Sequence, residues 1–206
     1  MKTRTIMFGA LLVLFVFGAC SSNPRIRRVD SDTVIDLSGR WNDTDARLVA
    51  NSLISDCLSS PRINDFIVEY RVRNGGRLPA AVVGSFRNES NEHIDTSIIA
   101  RAMEIAIVNS GRLDFVAGGD TLAELRAERF DNEFTSEETM AALANETGAI
   151  LLLTGTINSM EDRAGNTTVR SYFVSAELTN IETRTRLWMG ENSEIKKEVR
   201  QSSRGL

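Results

Sequence analysis

Residues 6–19 are almost wholly apolar, follow a short basic start at Lys2 and Arg4, and end at the small residues Gly18 and Ala19. The run is shorter than the roughly 20 residues that a membrane-spanning helix needs, and its form is that of a cleaved export signal. This constrains the fold by subtraction. Cleavage after Ala19 leaves 187 of the 206 residues, enough for one compact domain with a sizeable core. Loss of Lys2 and Arg4 moves the net charge from −4 to −6, so no dense basic surface is available for nucleic acid. No second hydrophobic run follows, and the rest of the chain reads as a soluble body.

Cys20 stands directly after Gly18-Ala19, which resembles the processing site of bacterial lipoproteins, where the thiol is acylated and becomes the first residue of the mature chain. Phe17 replaces the usual aliphatic residue, in a way similar to the looser signals of spirochaetes. By that resemblance Cys20 carries the lipid, palmitate included, and permanent attachment follows at about 0.8 kcal/mol per buried CH₂. Ser21 and Ser22, where an acidic residue would imply inner-membrane retention, imply the periplasmic face of the outer membrane. Residues 21–33 are polar, contain Pro24 and lack periodicity, and read as a flexible tether. With Cys20 lipidated, Cys57 has no partner within the chain. It falls on the apolar stripe of a predicted helix and reads as a buried small hydrophobe.

The folded part is expected over residues 34–206. Residues 34–41 read as a strand and turn, and Asn42 or Asp43 caps a helix to about Leu58 that buries Ala46, Val49, Ala50, Leu53 and Cys57. Pro61 closes it, and residues 66–72 read as a short strand before the turn at Asn74-Gly75-Gly76. Residues 80–86 form a buried strand. A helix capped at Asp95 or Thr96 follows, ending at Ser110-Gly111 and burying Ile98, Ile99, Ala102, Met103, Ala106 and Ile107. A short strand over 112–117 and helices over 121–130 and from Thr135 come next. Strands over 149–157, 167–180 and 185–190 close the pattern. Tyr172, Val174, Ala176 and Leu178 share one face. The sum is a single α+β domain: a mixed sheet flanked by about four helices, ending in an antiparallel meander.

Three segments resemble the outer-membrane lipoproteins that activate bifunctional penicillin-binding proteins: VVGSFRNESNEHIDT at residues 82–96, SGRLDFV at 110–116, and TGAILLLTG at 147–155 continuing through LTNIET at 178–183 to Trp188 and Glu191. The resemblance implies a non-catalytic, monomeric regulator of peptidoglycan synthesis and cell shape. Its partner would be the accessory domain of a bifunctional penicillin-binding protein, and it would need no cofactor. The tether of about 13 residues reaches only roughly 40 Å when fully extended, shorter than in the best-known members. The same fold also resembles parts of curli-type secretion channels and of the Tol translocation protein, which implies, as the alternative, an assembly component of an envelope secretion complex.

The chemistry in the chain agrees with a binding role. The one histidine, His93, lies in a polar loop, so no His-based triad or metal cluster can be assembled. Glu137, Glu138, Asp120 and Glu124 suit the first turns of helices, and the paired glycines lack a phosphate-binding fingerprint. Two roles are open for Arg87, Asn88, Glu89, Asn91 and His93. Asn and Ser side chains here bond the local backbone, and the loop offers a recognition edge to a partner. Trp41 and Trp188 fit the core or an interface. Tyr172 and Phe173 point to opposite sheet faces, so one of them is a candidate solvent-facing contact. Cys20→Ala is expected to leave a folded domain that is soluble or mislocalised. Fractionation that found equal outer-membrane retention would overturn the lipid anchor.

Overall fold

A computed structural model describes Asp36, residues 38–116 and residues 147–201, all within one compact unit, Val34–Leu206. Helix α1 spans Asp43–Ser59 and is opened by a capping box. The Asn42 side chain accepts from the Asp45 N–H at 3.1 Å, and Asp45 Oδ2 accepts from the Asn42 N–H at 2.9 Å. The buried stripe is Ala46, Val49, Ala50, Leu53 and Cys57, with Ile54 and Leu58 beside it. Ser60 closes the helix through its N–H to Asp56 and Cys57, and Pro61 stands at the first position of the next one.

That next element corrects the strand expected over 66–72. It is a helix, α2, Pro61–Arg73. Ile63 and Ile67, four residues apart, are its buried anchors, and Phe66 stacks on Tyr70 with ring centroids 6.3 Å apart, again at helical spacing. The weak alternation of 66–72 was the wrong period. The strand expected over 34–41 is also absent among the described residues, where residues 38–40 form a bend.

Strand β1 is Ala80–Asn88, helix α3 is Thr96–Ser110, and strand β2 is Asp114–Phe115. Asp95 caps α3 by accepting from the Ser97 N–H, and Gly111 ends it. The buried side is Ile99, Ala100, Met103, Ala106 and Ile107, rotated from the expected stripe, and Ile98 is 46% exposed. The helices expected over 121–130 and from Thr135 fall on residues outside those described, Thr147 apart. Strand β3 is Leu151–Ala164, β4 Thr167–Asn180, β5 Arg186–Asn192 and β6 Lys196–Arg200. The sequence pattern closed at residue 190, so β6 was not expected.

The sheet runs β2-β1-β3-β4-β5, and β6 also pairs with β4, so β5 and β6 divide one edge of β4 between them. β1 is parallel to both neighbours, and β3, β4 and β5 form the antiparallel meander. This is the expected α+β class, with a mixed sheet and helices on its inner face. A bulge between Val83 and Phe86 inserts one residue into β1, so Ala81, Val83 and then Phe86 all reach the core despite the change of parity.

The inner face carries a row of small residues. Gly155 pairs with Phe86 and with Ala176, which in turn pairs with Gly190. A Cβ on Gly155 would lie 2.3 Å from the Phe86 ring, and one on Gly190 would lie 2.2 Å from the Trp188 ring. The two aromatics therefore lie flat over glycines and fill the space a side chain would take. Helix α1 crosses β5 beside them, where Trp188 Nε1 donates to Asp56 Oδ2 at 3.0 Å and Asn192 donates to Ser52.

Cys57 is 2% exposed on the core side of α1. Burial, and secondarily the Asp56 carboxylate, pushes its thiol up to about 12. Because the thiolate is the reactive form, labelling at pH 8 is expected only as fast as the domain unfolds. Rapid stoichiometric labelling of the native protein would place this thiol at the surface instead.

Candidate functional site

The loop after β1 is shaped by its own side chains. The Asn88 amide donates to the Glu92 carbonyl at 2.7 Å, and Asn88 Oδ1 accepts from both the Ser90 N–H at 3.0 Å and the Ser90 hydroxyl at 2.6 Å. The Glu89 N–H extends the ladder by one bond to the Ile157 carbonyl. Its carboxylate accepts from Asn158 Nδ2 at 3.0 Å and lies 3.5 Å from Arg87. Of the two roles left open by the sequence, local bonding is the one seen, since it fixes the turn, and Asn88, Glu89, Asn91 and His93 are exposed around it.

Glu92 anchors that loop to the sheet. It accepts from the Tyr172 hydroxyl at 3.0 Å and pairs with Arg170 Nε at 3.1 Å. Arg170 also pairs with Glu161 at 2.8 Å and donates to the Gly39 carbonyl at 3.2 Å. Burial first, then the Glu92 hydrogen bond and charge, hold the Tyr172 phenol well above its ordinary range, so it stays protonated and donates. Trp41 packs on this ring, centroids 5.4 Å apart and tilted by 59°.

A second cation stands beside the first. Lys197 is the β6 register partner of Arg170. Its ammonium is buried and meets Asp45 Oδ2 at 2.5 Å, Asp36 Oδ1 at 2.6 Å and the Arg40 carbonyl at 2.9 Å. Adjacent carbonyls, Gly39 and Arg40, are thus held by adjacent cations on paired strands. Gly39 has a left-handed backbone (φ 61) and sits so close to Val199 that a Cβ would clash at 2.1 Å, which reserves the position for glycine. No buried side-chain polar atom among the described residues lacks a hydrogen bond.

This geometry corrects one candidate and sorts the others. Tyr172 is 0% exposed and cannot be a surface contact, because the pleat turns it into the core and its hydroxyl is consumed by Glu92. Phe173 takes the opposite, outer face, half-buried, opposite Asn158 and so one residue across from the Glu89 contact. Trp41 is partly buried and Trp188 buried, both packed with the core. Arg87, Asn88, Glu89 and Phe173 are brought together at the end of the β1–β3 pairing, and Asn91 and His93 lie further round the loop. Sequence reasoning missed Glu92, Asn158, Arg170 and Lys197. Each is a polar residue with a partner 69 to 161 positions away, so no local pattern marks it.

Among the described residues no group of three or more His, Cys, Asp or Glu side chains is placed to hold a metal ion, and Glu92 and Glu161 are paired with Arg170, and Asp36 and Asp45 with Lys197. A family model described as peptidoglycan-synthase activator LpoB matches residues 45–194. The chain belongs to that family, whose members are non-catalytic. Among solved structures it is similar to the LpoB C-terminal domain from Salmonella enterica, at 15% identity and TM-score 0.47, over 76% of this chain and 99% of that one. It is also similar to Escherichia coli LpoB, at 13% identity and TM-score 0.49 over 88% and 85%, and to lipoprotein GNA1162 from Neisseria meningitidis, at 14% and 0.42 over 62% and 86%. No curated protein matches the chain.

Tyr172→Phe is expected to cost about 1–2 kcal/mol by leaving Glu92 short of a donor, and to speed amide exchange in residues 88–93. A phenol raised in the fold contributes stability below its ordinary value of 10.0 that is lost as pH rises further, so the variant should lack that alkaline loss. Unchanged exchange in the loop would show that Arg170 alone holds Glu92.

Proposed function

We propose that this protein is an outer-membrane lipoprotein that binds the accessory domain of a bifunctional penicillin-binding protein and stimulates its glycosyl transfer and peptide cross-linking. The family match over residues 45–194 carries the reading, and the apolar segment ending at Cys20 supports the anchor. In this organisation residues 1–19 are removed, Cys20 is acylated, residues 21–33 form the tether, and residues 34–206 are the activating domain, facing the periplasm. The Phe17 variant of the signal supports a spirochaete source.

No residue of the activator enters the chemistry. The domain binds the active conformation of the synthase better than the resting one and shifts its population by that difference in affinity. Arg87, Asn88, Glu89, Asn91, His93 and Phe173 form the contact, with Phe173 as its apolar anchor. Tyr172 contributes from beneath, by fixing Glu92. Ordered before binding, the loop forfeits little conformational entropy when it docks.

Residues 34–206 are expected to raise the rate of glycan polymerisation by the cognate synthase while leaving lipid-linked substrate untouched on their own. Phe173→Ala should weaken binding by about thirtyfold, or roughly 2 kcal/mol, as loss of a central anchor does. Neither binding nor stimulation with any synthase of the source organism would defeat this assignment and favour an assembly component of an envelope complex.

A further inference from the structure

The pairing of β1 with β3 ends at Asn88 and Ile157, and β3 continues for seven residues beyond it, to Ala164. Through that stretch β3 is paired to β4 on one side only, among the described residues. The direction of its backbone groups follows from the bonds on either side. The Ile157 carbonyl accepts from Glu89, on the β1 side, and the Tyr172 N–H, whose residue is the register partner of Ser159, points away from β3 to Ile195. Alternation then aims the N–H and C=O groups of Ser159, Glu161 and Arg163 at the open edge. From Ser159 to Ala164 the edge is about 20 Å long.

The side chains around this edge have a definite character. On the outer face stand Asn158, Met160 and Asp162, with Phe173, Ser171 and Val169 as their β4 partners. Met160 is 60% exposed, and Phe173 and Val169 are half-buried, so this face offers an apolar step beside the edge. On the inner face stand Ser159, Glu161 and Arg163, and Glu161 keeps much of its carboxylate in solvent while pairing with Arg170. Charged edges protect sheets against indiscriminate pairing. Here the charges also select. A second copy paired antiparallel about Glu161 would set like carboxylates opposite each other, which is unfavourable, whereas a strand with a basic residue there gains.

We infer that the open edge of β3 over residues 159–164 takes an extended segment of a partner polypeptide by strand addition. The segment places an apolar side chain beside Met160 on the outer face and a basic one beside Glu161 on the inner face. Backbone pairing supplies affinity and the two alternating positions supply selectivity. The identity of the partner rests on the activator reading above; the mode of capture does not.

The test is photo-crosslinking in cells, with the full lipidated chain carrying a benzoylphenylalanine in place of Asp162 or, separately, of Asn91. The expected result is a crosslink from position 162 to a partner segment that alternates apolar and basic residues. Ser159→Pro, which removes an edge N–H without breaking the β4 ladder, and Met160→Lys, which leaves the backbone intact, should each reduce it at least tenfold. No crosslink from 162, a crosslink unaffected by both variants, or one to a second copy of this chain would overturn the inference. Capture of the synthase from position 91 but not 162 would leave the activator reading standing and remove this one. A different polypeptide captured at 162, and lost in both variants, would do the reverse.

Discussion

Close approach of helix α1 to the sheet depends on the absence of side chains at two positions. Gly155 and Gly190 flank Ala176 in one row across β3, β4 and β5, and the Phe86 and Trp188 rings lie over them. Aromatics laid flat keep the layer thin, and the indole N–H is left at the rim to reach Asp56 on α1. An alanine at Gly155 would meet both the Phe86 ring and the Ser175 carbonyl, 2.4 Å away, and backbone cannot yield as a flexible side chain can. The bulge in β1 belongs to the same arrangement, since without the extra residue Phe86 would face outward.

On that packed base two polar clusters do different work from the same pair of strands. Arg170 gathers Glu92, Glu161 and the Gly39 carbonyl, and Lys197 gathers Asp36, Asp45 and the Arg40 carbonyl. Taking such charges out of water is costly, and what offsets the cost is completeness, with each cation meeting carboxylates and a carbonyl together. Removing one partner strands the others, so these clusters favour one arrangement of the loop and of the chain entry over its neighbours.

Local signals carried much of this fold into the sequence. Asn42, Asp95 and Gly111 marked helix ends because capping is settled within four residues, and the apolar alternation of Tyr172, Val174, Ala176 and Leu178 marked β4 because one buried face enforces period two. Residues 66–72 misled because Ile63 and Ile67 supply the helical period only when Pro61 is read as a beginning. Charged β6 was invisible, since Lys197 is buried by partners more than 150 residues away in Asp36 and Asp45. The loop of the candidate site was legible in its Asn and Ser content. Its anchor was not, because Glu92 looks like any surface acid until Tyr172 and Arg170 are set beneath it.

Arg170 gives the molecule a mechanical property as well. It holds the Gly39 carbonyl, early in the described chain, and Glu92, which fixes the loop after β1. Tension applied at Asp36 therefore reaches Lys197 on β6 and Asn42 at the start of α1 together, and Arg170 on β4 through the Gly39 carbonyl. A load at Gly39 is thereby delivered to the same guanidinium that, through Glu92, sets the posture of the loop after β1.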